Sequence, residues 1–114
     1  MPAVTARLQE PTFLILTALA EEPRHGYALI ARVEELSDNR LRLRAGTLYA
    51  ALDRLLGEEL VSVEREEIVD GRLRRYYQLT QAGQHALALE THRWQANVEA
   101  ARRVLALRPA ERLS

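Results

Sequence analysis

The segment Gly46-Thr47-Leu48-Tyr49-Ala50-Ala51-Leu52 sets a hydroxyl, a phenol and two methyl groups close together, and Arg54 follows two positions on. On a helix, Thr47, Ala50, Ala51 and Arg54 share one face, with Tyr49 and Asp53 along its flank; Leu48, Leu52, Leu55 and Leu56 occupy the other. A face of such short side chains fits a DNA major groove about 12 Å wide, where Arg54 reaches a guanine or a phosphate. Arg40, Arg42 and Arg44 precede this segment, and Arg72, Arg74 and Arg75 follow it around a turn at Asp70-Gly71. All sixteen basic residues are arginine, whose planar fork suits phosphate oxygens and guanine edges. Such phosphate contacts position a protein on DNA without reading its sequence. The competing roles are ordinary ones: Arg74 and Arg75 pair across a hairpin with Glu66 and Glu67, and Tyr49 fills a core beside Leu48 and Leu52.

Other chemistries find little support. With no cysteine there is no disulfide, thiolate site or thiol nucleophile. His85 and His92 stand seven apart, not at the spacing of three or four that brings two ligands within reach of one metal. A lone His25 reads as a structural turn residue, with Gly26 beside it for close helix packing. No glycine-rich phosphate loop and no convergent acid, base and nucleophile occur, so neither an enzyme nor a cofactor is expected.

The elements that would carry these residues follow from periodicity. Pro11 opens an apolar first helix through Phe13, Leu14, Ile15, Leu16, Ala18, Leu19 and Ala20, which Glu21, Glu22 and Pro23 end. A second helix opens at His25-Gly26-Tyr27 and closes at Ser37-Asp38-Asn39; the third carries Thr47 to Leu60. The period then becomes two, through Val61 and Val63 and again through Tyr77 and Leu79, which predicts a hairpin. A two-residue turn at Asp70-Gly71 would face Val63 with Gln78. A loop of Asp70 to Arg72 instead sets Val63 opposite Leu79 and Glu67 opposite Arg75, and is the register expected. Thr80 caps a last helix running to about Leu107, in which Leu87, Thr91, Trp94, Val98, Ala101 and Leu105 form a heptad seam.

Three helices, a two-stranded wing and a long closing helix make a mostly α winged helix-turn-helix. The chain resembles the PadR-like family of transcriptional regulators in His25-Gly26-Tyr27, in Gly46 to Leu52, and in the wing run Gly71-Arg72-Leu73-Arg74-Arg75-Tyr76-Tyr77-Gln78-Leu79-Thr80. It departs at Ala50, where the family often has proline, and in the acidic stretch Glu64 to Asp70. The resemblance implies a homodimeric repressor on double-stranded operator DNA. Arg42, Arg44, Thr47, Tyr49, Ala50, Arg54, Arg72, Arg74 and Arg75 would touch DNA, with Tyr49 as a DNA-facing tyrosine. Phe13, Leu16, Leu87, Thr91, Trp94, Val98, Ala101 and Leu105 would form a dimer interface, where Trp94 could stack on a small aromatic or drug-like effector. The alternative is a winged-helix module that holds another protein and has no DNA affinity.

Domain organisation is read as a flexible arm (residues 1–9), a DNA-binding domain (10–79), a dimerisation helix (80–108) and a frayed tail (109–114). At 114 residues there is room for one domain. The formal net charge of zero argues against indiscriminate nucleic-acid binding, so charge must act locally. Residues 1–10 lack a signal-peptide layout and the longest apolar run is too short to span a membrane, so a cytoplasmic location is expected.

Overall fold

The computed structural model describes residues 7–107; the expected tail 109–114 and most of the arm lie outside the described residues. Helix α1 (Glu10–Glu21) begins with Pro11 in its first turn and turns Ile15, Leu16, Ala18 and Leu19 into the core. An extended Glu22 and Pro23 stop it. Two residues of strand, β1 (Arg24–His25), lead into α2 (Gly26–Leu36), whose N-cap is His25. Asp38 and Asn39 then turn the chain at positive φ, a conformation that these two residue types tolerate. Helix α3 (Ala45–Gly57) follows, with Leu48, Leu52 and Leu55 fully buried beside Leu29 and Val33 of α2. Burying one such leucine is worth about 2 kcal/mol, so three along one stripe fix which face of α3 looks outward.

The wing consists of β2 (Val61–Val69) and β3 (Arg72–Leu79), and β1 pairs with β3 to make a three-stranded sheet in the order β1-β3-β2. The expected wing had two strands; β1 is too short for any alternation to betray it. The expected register also needs correcting. Val69 faces Arg72, so Asp70 and Gly71 alone form the turn, both at positive φ as a type I′ turn requires. A bulge between Val63 and Arg65 then sets Val63 opposite Tyr77 and Val61 opposite Leu79. Glu67 meets Arg74 and Glu66 meets Arg75. The apolar pairing that seemed to demand a longer loop is achieved by one extra residue inside the strand.

Helix α4 (Gln81–Ala106) starts under Thr80, whose hydroxyl accepts from the Gly83 N–H at 2.9 Å and donates to the Glu59 carbonyl at 2.7 Å. Gly83 lets this first turn press against the Leu60 carbonyl, where a β-carbon would collide. At about 1.5 Å per residue the helix is about 39 Å long. It meets the body through Ala86, Leu87, Glu90 and Trp94, and stands exposed from Gln95 onward. Among the described residues no helix is long and apolar enough to cross a membrane.

Candidate nucleic-acid interface

With its leucines fixed inward, α3 presents Thr47, Tyr49, Ala50, Asp53 and Arg54 to the outside. Ala51, expected on that outer face, is only 7% exposed and belongs to the core, so the face is narrower than its periodicity implied. Thr47, Ala50 and Arg54 line a recess of about 450 Å³ against Gln9, Pro11 and Thr12 at the start of α1. There the Arg54 guanidinium donates to the Thr12 hydroxyl at 3.3 Å. Tyr49 points to the opposite flank and is 43% exposed, not filling the core.

On Tyr49's side a second cleft, of about 470 Å³, separates the wing from the start of α2. His25, Tyr27 and Tyr49 line it together with Arg72, Arg74 and Arg75 of the wing. The His25 Nδ1 accepts from the Ala28 N–H at 3.4 Å, and its ring meets Tyr76 edge-on at 5.3 Å. Burial, reinforced by the charge of Arg74 and opposed by Glu67, pushes the imidazole below its ordinary pKa. The sequence marked His25-Gly26-Tyr27 as the turn that opens the second helix, with Gly26 there for close helix packing. Strand β1 is what carries this tripeptide to the wing's arginines.

The arginines divide by their partners. Arg40 is bonded to Glu10 at 2.7 Å, Arg42 to Glu34 at 3.2 Å, and Arg75 to Glu66 at 2.8 Å. Arg65 pairs with Glu64 at 2.7 Å and lies 3.8 Å over the Tyr76 ring, while Tyr76 donates to Glu67 at 2.9 Å. Glu67 is thereby engaged, and Arg74, though directly across from it, forms no ion pair. Among the described residues Arg102 and Arg103 on the distal half of α4, and Arg44, Arg54, Arg72 and Arg74, have no carboxylate within 4.0 Å. The last four flank the exposed face of α3 or line the cleft beside it. A chain of zero net charge thus still offers a group of uncommitted cations in one region.

The residues expected at a dimer or effector interface also separate. Leu16 is fully buried inside the protomer's own core and cannot meet a partner. Phe13 stacks on Trp94 with ring centroids 4.2 Å apart and planes 18° from parallel. The indole N–H donates to Glu90 at 2.8 Å. Glu90, which sequence reasoning missed, is 1% exposed; its four-residue spacing from Trp94 was the available signal. Burial drives its carboxyl up, but hydrogen bonds from Arg93, Trp94 and the Leu8 N–H, with Arg7 at 3.5 Å, outweigh this and hold it below the usual value. Leu87 packs against the core, while Thr91, Val98, Ala101 and Leu105 stay exposed.

Three helices, a hairpin wing and an added C-terminal helix, with uncommitted arginines beside the third helix, define a winged-helix regulator. The chain belongs to the transcriptional regulator PadR-like family, which it matches over residues 15–89. It is 42% identical over 91 residues to the transcriptional regulator Rv3488 of Mycobacterium tuberculosis, covering 80% of this chain and 78% of that one. It is also 42% identical over 86 residues to a 37.1 kDa transposon protein of Streptomyces fradiae; the match takes in 75% of this chain but spans 23% of that protein's length. Among solved structures, a PadR family transcription regulator from Clostridium difficile superposes with a TM-score of 0.73 at 25% identity, covering 85% of this chain and 99% of the other. A PadR-like transcription factor from Bacteroides fragilis gives 0.69 at 31% identity, with 82% and 87% covered. The chain is accordingly a transcriptional regulator in family and fold.

Proposed function

We propose that the protein is a sequence-specific DNA-binding repressor that acts as a homodimer. The observation that carries this reading is the placement of Arg44, Arg54, Arg72 and Arg74, without carboxylate partners among the described residues, around the exposed face of α3 and the adjoining cleft. Helix α3 enters the major groove with Thr47 and Ala50 against base edges, while Arg44, Arg72 and Arg74 hold phosphates on either side. Arg42 and Arg75 reach the backbone by exchanging Glu34 and Glu66 for phosphate. The exposed α4 residues Val98, Ala101 and Leu105 join two copies, and two α3 helices roughly 34 Å apart then read a pseudo-palindromic operator. A planar effector that stacks on the half-buried Phe13–Trp94 pair changes the angle between subunits and releases DNA.

The test is selection of bound duplexes from a random pool at two salt concentrations. A pseudo-palindrome with salt-dependent affinity is the expected result; no enrichment overturns the reading. One observation favours a protein-binding module instead: Ile68 and Leu73, paired across the wing tip, are 69% and 57% exposed. That reading predicts no gel shift with any duplex.

A further inference from the structure

Gly26 is the first residue of α2, and its φ is not in the left-handed region. Nothing in its backbone calls for glycine, and alanine is the better helix former. What calls for it is space: a β-carbon at residue 26 would fall on the Tyr49 hydroxyl and lie 2.8 Å from its Cζ. By contrast, Gly46 and Gly57, at the two ends of α3, face open space. Leu48 and Leu52 are fully buried, so α3 cannot roll, and the phenol of Tyr49 lies across the first turn of α2. There its hydroxyl lies against Gly26, and Tyr49 lines the cleft together with His25, Tyr27, Arg72 and Arg74.

We propose that Gly26 is a positioning residue for DNA binding: the side chain it lacks is the room that aims the Tyr49 hydroxyl into the wing cleft, where that hydroxyl donates to a backbone phosphate. This rests on the DNA-binding reading above and adds to it the residue that sets the tyrosine's direction. Because the colliding atoms are the far end of the ring, a methyl group at position 26 swings the phenol out of the cleft and leaves the core leucines in place. A tyrosine contact is uncharged and releases no counterion, so its loss weakens every duplex alike without changing the salt slope.

The experiment measures affinity for the selected operator and for random duplex, at two salt concentrations, with Gly26→Ala, Tyr49→Phe, Tyr49→Ala and the Gly26→Ala/Tyr49→Ala double variant. Gly26→Ala and Tyr49→Phe are each expected to lose about tenfold on both duplexes, with the slope of affinity against salt unchanged. The double variant should bind no more weakly than Tyr49→Ala alone, since the added methyl group acts through the ring it displaces. If Gly26→Ala fails to fold, the double variant, which has no ring to collide with, should recover the wild-type melting transition. Gly26→Ala binding like wild type overturns the proposal, as do additive losses in the double variant or a single and double variant that are equally unfolded. Wild-type protein that binds no duplex would instead sink the functional reading itself.

Discussion

Arg74 and Arg75 are neighbours in sequence with opposite commitments in the structure, and a single measurement separates them. Arg75 shares its charge with Glu66 at 2.8 Å, whereas Arg74 has no such partner among the described residues. Arg74→Ala should therefore weaken binding to all duplexes and lower the salt slope by about 1, while Arg75→Ala, which also unmasks Glu66, changes the slope less. Equal slopes for the two variants would show that the hairpin ion pair does not decide phosphate engagement. The sequence could not make this division, because it depends on Glu67 being taken by Tyr76 and Arg65. His25 gives a pH dependence at the same scale. Its folded pKa lies below the ordinary 6.5, chiefly through burial, so the unfolded chain takes up the proton first as pH falls. The contribution of neutral His25 to stability is complete above 6.5 and is lost as pH falls towards the lower folded value. Protonation also removes the Nδ1 lone pair that caps α2. Thermal melts should show the wild type losing stability as pH falls below the ordinary 6.5 and His25→Asn, which keeps a cap, losing less. Parallel curves would refute the assignment.

Helices α1 to α3 were legible because each turns a stripe of buried residues inward: Leu48, Leu52 and Leu55 leave α3 no other rotation. Thr80, Pro11 and the Asp38-Asn39 turn mark ends by local chemistry that survives without tertiary context. The wing register was not legible, since Val63 can meet an apolar partner through either a longer turn or a bulge, and only the fold chooses between them. The choice has a consequence for the tip. A bulge increases local twist, so the strand beyond Arg65 is aimed differently from the strand before Val63. Deleting Glu64 should leave the Asp70-Gly71 turn and the Val61↔Leu79 pairing intact while straightening the hairpin. Melting temperature should move by no more than about 5 °C, since the removed side chain is exposed. DNA affinity should fall by about tenfold as the arginines Arg72 and Arg74 are carried off the phosphates. Unfolding of the variant would show that the bulge supports the core; unchanged affinity would show that the wing's aim does not matter.

One protomer presents a single α3, and a winged helix of zero net charge holding a single groove gains little from the long-range field that retains strongly basic proteins on DNA. In the proposed reading specificity comes from joining two copies, and the distal half of α4 is the surface proposed to join them. Val98 is 46% exposed and Leu105 49% exposed, with Ala101 between them, on a stretch of helix that stands exposed among the described residues. A two-fold pairing places each seam against its own copy, so one substitution introduces two like charges at the same contact. Val98→Glu together with Leu105→Glu should therefore turn a particle of twice 13.0 kDa into one of 13.0 kDa in sedimentation. The fold of each protomer should persist, because neither residue reaches the core formed by α1 to α3 and the sheet. Operator affinity should fall at least about a hundredfold, since the second half-site no longer acts at the high effective concentration that linkage provides. Affinity for random duplex should change far less, because phosphate contacts within each protomer remain. If the variant stays dimeric, α4 is not the joining element; if it becomes monomeric and binds operator unchanged, symmetry is not how this protein reads DNA.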